Sequence, residues 1–307
     1  MINCFFQSRA NEKKSAAISS VIAAVGLTGL KLVIGLTTGS LGILAEAAHS
    51  GLDLMAATMT WLAVRISDKP ADKNHLYGHG KVENLSAMFE TLLLLGTCAW
   101  IIYEAIYRLF IHEVCLSVNV WAFGVMITSI LVDFSRSRVL YRAAQKYHSQ
   151  ALEADALHFS TDMWSSSVVM LGLFCVKLSE WVPGLTFFRL ADSVAALLVA
   201  TMVIWVSLRL GLRTIQALLD VAPLGVEKRI IQAVEAIPGV VDCHHVRFRS
   251  SGPQLFIDIH VLVDGNQSLK DAHDLTEEIE RTIQQFLPNA DVTVHPEPTL
   301  QEKISGR

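Results

Sequence analysis

The segment Ala151–Leu178, ALEADALHFSTDMWSSSVVMLGLFCVKL, decides how the rest of the chain is read, because it sets His158 and Asp162 at the head of a long apolar run. About a hundred residues earlier, the similarly apolar Leu41–Ile66 carries His49 and Asp53 at the same spacing, HSGLD against HFSTD. Residues i and i+4 of a helix share one face, so each segment offers an imidazole nitrogen and a carboxylate oxygen side by side. Two such helices face to face supply two nitrogens and two oxygens, a set that suits a tetrahedral, borderline-soft divalent ion, zinc first. In a soluble helix a lone His-xxx-Asp pair is usually a surface contact. Inside hydrocarbon an ionisable group costs roughly 3 kcal/mol on insertion scales and marks a functional position by default.

Composition supports the membrane reading. Of 307 residues 52% are apolar and only 18% charged, too greasy for an ordinary soluble enzyme. The net charge of −4 hides a split, since the residues from 218 onward hold fourteen acids against eight bases. Such a tail is no nucleic-acid binder. The five cysteines (Cys4, Cys98, Cys115, Cys175, Cys243) are odd in number and scattered, which suits reducing conditions rather than a disulfide framework or zinc knuckle. The start, MINCFFQSRANEKKS, shows no small-residue cleavage site and reads as no removable signal peptide.

Six apolar runs approach the ~20 residues a spanning helix needs: Ser15–Thr37, Leu41–Ile66, Val82–Phe110, Leu116–Leu140, Ala151–Leu178 and Leu190–Leu210. Thirteen basic residues gather before the first run, after the sixth and in the loops following the second and fourth. The opposite loops hold three, Arg108, Lys177 and Arg189. The positive-inside rule then puts both termini in the cytoplasm. From Asp220 onward no stretch is long enough to span. The pattern there predicts a helix (225–236), a strand (240–249), a strand (254–263), a helix (268–286) and a strand (291–295), a small α+β domain. The expected division is a six-helix transmembrane domain over 1–214 and a cytoplasmic metal-binding regulatory domain over 215–307. The latter is short for a freely stable core, which favours docking or dimerisation.

Nine of eleven histidines fall into three groups, the intramembrane pair being the first. In the loop DKPADKNHLYGHGKVE, Asp72, His75 and His79 recur at spacings of three and four. Two readings stand for them: three ligands of a divalent ion with water completing the shell, or a solvated charged loop. GHGK lacks the spacing of a phosphate-binding loop, which argues against ATP hydrolysis. The third group, His244, His245, His260, His273 and His295, lies on different elements and forms a site only if the fold gathers it; scattered surface histidines are the alternative. Cys243 beside His244 is either a thiolate ligand or a buried free thiol, the commoner outcome. The His112-Glu113 pair lacks the second histidine of a zinc-protease helix. Glu46, Glu90, Asp133 and Asp192 also fall in or beside apolar runs, where each lines a hydrated path, accepts a proton, or pairs with Lys31 or a backbone group.

The segments TGSLGILAEAAHSGLDL, YGHGKVE, ADALHFSTD and VRFRSSGP, together with six spans and an α+β tail, resemble the cation diffusion facilitator family over nearly the whole chain. The resemblance implies a homodimer in a bacterial inner membrane that expels zinc or similar divalent ions in exchange for protons, with a metallochaperone-like, ferredoxin-like tail. By position it implies a transport site of His49, Asp53, His158 and Asp162, and a loop site of Asp72, His75 and His79. Tail sites fall on His245, His260, His273, His295 and Glu297, and a charge interlock on Lys81 and Asp220. Pro296 stands where some members have a ligand. Several bacterial relatives carry aspartate at the place of His49, and the two-histidine quartet resembles the zinc-preferring members. Zinc is thus expected as both cargo and regulator, with other divalent cations open.

Metal and protons compete for such ligands, since histidine must be neutral and aspartate ionised to bind. Rocking of helices about a fixed site then converts an inward proton gradient into metal export. A membrane-anchored metal sensor without transport is the competing class, although a sensor needs no buried quartet. An intramembrane metallohydrolase would need an open coordination position and a general base, and four protein ligands close the shell, so no enzyme is expected.

Overall fold

The computed structural model describes residues 2–39, 41–110, 120–181, 188–222 and 225–299. Six long helices come first: α1 (Ile2–Thr38), α2 (Leu41–Ser67), α3 (Lys81–Phe110), α4 (Val120–Tyr147), α5 (Gln150–Trp181) and α6 (Phe188–Leu218). Several outrun the apolar stretches that announce them. α1 begins before NEKKSAA, α4 runs on through YRAAQKY and α6 through RTIQAL. These flanks are rich in Ala, Lys, Arg and Gln, which favour helix whether or not lipid surrounds them. Hydropathy marks the hydrocarbon, not the end of the helix. α2 stops just ahead of Pro70, whose ring disfavours helical geometry at the residue before it. The turn after α1 puts Gly39 at φ 64°, the left-handed region that glycine enters freely.

Among the described residues, Asn11–Thr38 is the stretch that by length and apolarity alone is able to cross a membrane. α2, α4 and α5 interrupt their apolar surface with His49, Asp53, Asp133, Arg136, Asp155, His158 and Asp162, residues that in a membrane helix belong on the inward side.

By contacts the chain forms two units, Met1–Pro70 with Val82–Ile215, and Ala71–Lys81 with Gln216–Arg307. In the first, α1 packs along α2, α4 along α5, α1 against α4 and α2 against α5. Their shared core is Ala17, Ala57, Val64, Leu140, Ala144, Ala151, Leu152, Ala156 and Phe159. Alanine is frequent there because lipid gives no hydrophobic drive between helices, and small residues let backbones approach closely. α3 and α6 join through Ala87, Ala154 and Leu210.

The second unit holds α7 (Val226–Glu235), β1 (Val240–Ser251), β2 (Gln254–Val263), α8 (Leu269–Phe286) and β3 (Ala290–Pro298). β1 and β2 form an antiparallel hairpin, and β3 returns parallel to β2 after the α8 crossover, giving sheet order β1-β2-β3. Ile257, Ile259 and Val261 bury one face of β2 against Ile230 and Val234 of α7 and Ile279 and Ile283 of α8. Ser268 caps α8 by accepting from the Asp271 amide at 3.1 Å. This is a ferredoxin-like α+β arrangement. The loop 71–81 packs with it: Gly80 lies so close to Ser251 that a Cβ would come within 2.1 Å of the Ser251 carbonyl oxygen.

Candidate metal centres

The i,i+4 pairs of α2 and α5 converge. His158 Nε2 lies 3.3 Å from Asp53 Oδ1 and 3.4 Å from Asp162 Oδ2, and His49 Nε2 lies 3.9 Å from Asp53 Oδ1. Ligand atoms of His49, Asp53 and Asp162 all fall within 4.8 Å of one another. A zinc ion about 2.0–2.1 Å from four ligands sets tetrahedral edges of about 3.3–3.4 Å, so two of these separations already match it. α2 and α5 are neighbours in the bundle, which is what turns two local spacings into one constellation. His158 is buried, and its Nδ1 has no hydrogen-bond partner.

The other intramembrane acids have separate surroundings. Lys31 is buried and donates to Glu46 Oε2 at 3.1 Å and Ser50 Oγ at 2.8 Å. Asp133 pairs with Arg136 at 3.4 Å, and the Thr60 hydroxyl donates to Glu90. The side chain of Asp192 and residues His112, Glu113 and Cys115 lie outside what is described, as do the side chains of Cys4 and Cys175.

In the loop, Asp72 accepts backbone N–H bonds from Asn74 (2.9 Å) and His75 (2.8 Å), an Asx turn that folds the segment back on itself. These two bonds hold the Asp72 carboxyl below its ordinary value, keeping it ionised as a ligand must be. His75 Nδ1 lies 3.2 Å from Asp72 Oδ1, and His79 Nε2 lies 3.4 Å from Asp72 Oδ2. The three side chains lie close enough together that one ligand atom of each falls within 4.8 Å of the others. Lys81 donates to both oxygens of Asp220 at 2.9 and 3.1 Å, and Arg249 adds a second cation 3.8 Å away.

In the tail the register decides. His244 stands opposite His260, and His260 opposite His295, so three imidazoles form a row across β1, β2 and β3. This row lies on the face away from the helices, since its neighbours Ile259 and Val261 point into the core. A β-bulge follows His244, with one extra residue before Arg247, and His245 takes φ 51°. The bulge brings His245 to the same cluster, 5.2 Å from His260 between ring centroids. Glu297 reaches the row with Oε1 2.8 Å from His260 Nδ1 and Oε2 3.4 Å from His244 Nε2.

His273 is exposed on α8, outside the row, and pairs with Glu277 at 3.6 Å. His244, absent from the carried-over set, is drawn in. Its signal was available as strand alternation, but the bulge that lets both His244 and His245 contribute was not. Cys243 faces the core as a buried free thiol, and burial pushes it up to about 11.

The sequence reading also missed a buried hub. Glu83 accepts from Lys13 at 2.7 Å, from Ser67 at 2.8 Å and from Ser149, tying α1, α2, α3 and the start of α5. The partners lie 70, 16 and 66 positions apart, and no local pattern announces them.

Glu297 yields a pH prediction. The hydrogen bond from His260, with the nearby charges of His244, His260 and His295, holds its carboxyl below the ordinary 4.5. A depressed carboxylate contributes stability above its unfolded value and loses it as pH falls through the lowered folded value. The thermal stability of the tail should therefore fall as pH drops below 4.5, and Glu297→Gln should flatten that part of the profile. Identical acid profiles for the two proteins would count against the pairing.

Fold and sequence together define an α-helical membrane protein with a cytoplasmic α+β domain. Residues 17–219 match the family model for the cation efflux transmembrane domain, and residues 223–299 that for the cation efflux protein cytoplasmic domain. The chain belongs to the cation efflux, or cation diffusion facilitator, family, whose members are transporters that export divalent cations. It is 32% identical over 291 residues to the cation-efflux pump FieF of Yersinia enterocolitica, covering 93% of each chain. It is also 32% identical over 299 residues to the pump of that name from Serratia proteamaculans, covering 96% of each. A solved tail structure, MamM-CTD 215-293, is 27% identical and covers 24% of this chain and 95% of its own, with a TM-score of 0.23.

Proposed function

We propose that this protein exports zinc from the cytoplasm in exchange for protons, as a homodimer with both termini in the cytoplasm. The observation that supports this reading is the approach of His49 and Asp53 on α2 to His158 and Asp162 on α5, with two of the separations at 3.3 and 3.4 Å, the length of a zinc tetrahedron's edge. Two imidazoles and two carboxylates bind zinc when deprotonated and release it when protonated, so occupancy is tied reciprocally to pH. With the site open to the cytoplasm when loaded and to the outside when protonated, an inward proton gradient drives the ion out. Zinc flux in proteoliposomes with an imposed pH gradient tests this. Flux indifferent to the gradient removes the exchange, and no flux of any divalent ion removes the transport site.

The loop trio and the tail row are proposed as regulatory sites, and Lys81–Asp220 as the clasp that holds the loop. Zinc on the row of His244, His245, His260 and His295 neutralises an acidic tail and stabilises whichever assembly binds it, by mass action. The nitrogen-rich quartet is the proposed basis of zinc preference. His49→Asp replaces a nitrogen with an oxygen and adds a negative charge, which should broaden uptake toward cadmium. An unchanged zinc-to-cadmium ratio in competition flux would place selectivity elsewhere.

A further inference from the structure

Glu90 has no part in the quartet, since α3 supplies none of the four ligands, yet it is fully buried and within electrostatic reach of one of them, His158. The Thr60 hydroxyl of α2 donates to Oε1, while Oε2 is buried with no partner. On α5, Asp155 is equally buried: the Ser20 hydroxyl donates to Oδ2 at 3.4 Å, and Oδ1 is likewise bare. The two carboxyls lie within each other's electrostatic reach, and Glu90 within that of His158.

Counter-ions set Glu90 apart. Among the described residues, Glu83 has Lys13, Glu46 has Lys31 and Asp133 has Arg136, while Glu90 has no ion pair. Asp155 has a cation at one remove, because Arg136 donates to the same Ser20 oxygen at 3.1 and 3.3 Å. The charged groups whose fields reach Glu90 are Asp155 and His158 of α5, and Arg136 of α4 reaches Asp155 in turn. Lys13 and Lys31 of α1 are committed to other acids, and Arg213 of α6 to Glu153. A buried carboxylate without a counter-ion meets its desolvation cost by taking up a proton. A divalent cation nearby reverses that balance, because its field favours the ionised form.

We propose that Glu90 is a proton-binding site separate from the metal quartet, which holds one proton while the quartet is empty and gives it up when a divalent cation loads. The O–H bond of the carboxyl breaks, the proton leaves to water, and the carboxylate left behind offsets one of the two incoming charges. Asp155, held by Ser20 with Arg136 behind it, carries the negative charge and disfavours a second one, which keeps the proton on Glu90 until the metal arrives. The inference rests on the proton-exchange reading above.

The test uses the full-length protein in detergent, with zinc titrated into weakly buffered solution and released protons counted by a pH dye alongside the zinc isotherm. Glu90→Gln should bind the same number of zinc ions yet release one proton fewer per ion at the quartet. Its zinc affinity should change tenfold less per pH unit than that of the wild type. Protons from the loop and tail cancel in the difference, and Glu90→Asp should restore the count. Equal counts for wild type and Glu90→Gln overturn the inference while leaving exchange intact, whereas a wild type that releases no proton on binding zinc overturns both. Should Glu90→Gln fail to fold, Thr60→Val carries the test. Loss of a hydroxyl that supports the ionised carboxylate should move the release to higher pH, and an unmoved profile overturns the proposal.

Discussion

Asp162→Ala should lower zinc transport by about 100-fold or more while leaving the six-helix bundle folded. Asp162 supplies a charge and a bond at once, and alanine leaves three ligands in a site whose remaining carboxylate cannot balance a divalent ion alone. Loss even of groups that only orient ligands costs about 10–100-fold in affinity, so removing a ligand itself stands at or beyond the upper end. His158 feels the change as well, because one of its two carboxylate neighbours, 3.4 Å away, is gone. The fold should tolerate the exchange, since alanine already fills much of the helix packing in this bundle. Zinc-dye flux into proteoliposomes, with size-exclusion profiles as the control for folding, reads the result. Transport near the wild-type rate from a well-folded variant would show that the ion is carried elsewhere.

Gly80→Ala should free the loop 71–81 from the β1–β2 hairpin. A methyl there would sit 2.1 Å from the Ser251 carbonyl oxygen and 2.4 Å from its carbon, and both are backbone atoms that no rotamer change can move. Gly252, at φ 59°, meets the same crowding from the other side, with the Gly80 carbonyl oxygen 2.8 Å from where its own Cβ would be. The hairpin must therefore withdraw, at a cost of about 3 kcal/mol, the upper part of the range for overpacking. With it go the Ser251 hydroxyl bond to the Tyr77 carbonyl (3.3 Å) and the edge-on contact of Tyr77 with Phe256. The stacking of Arg249 on Tyr77 is lost too. Hydrogen exchange of residues 71–81 and 248–254 should quicken by about two decades, since 1.4 kcal/mol corresponds to a factor of ten. Unchanged protection in both segments would mean that the hairpin yields without loss, and that the loop is held mainly by Lys81 and Asp220.

Local periodicity carried much of the reading. His49 and Asp53, and His158 and Asp162, are one helical turn apart, and that relation survives whatever the helices pack against. The strand alternation of LFIDIHVLVD likewise predicts the buried Ile257, Ile259 and Val261 and leaves His260 on the open face, as the sheet has it. Helix ends were less legible. Apolarity reports where lipid lies, while α1, α4 and α6 continue through charged, helix-favouring flanks.

What tertiary structure alone decided involves residues far apart in the chain. That Asp72, His75 and His79 belong with the tail follows from Gly80 against Ser251, a contact of shape between two backbones that composition does not encode. The row of His244, His260 and His295 required strand order and register, and the entry of His245 required a bulge that shifts that register by one residue. The Glu83 hub and the lone Glu90 look alike in sequence, as acids seven residues apart on α3. Only packing separates them, because it gives one a buried ammonium at 2.7 Å and the other a hydroxyl and a bare oxygen. Spacing along one element is set by backbone geometry and can be read from the chain, whereas the identity of a charge's partner depends on which elements meet.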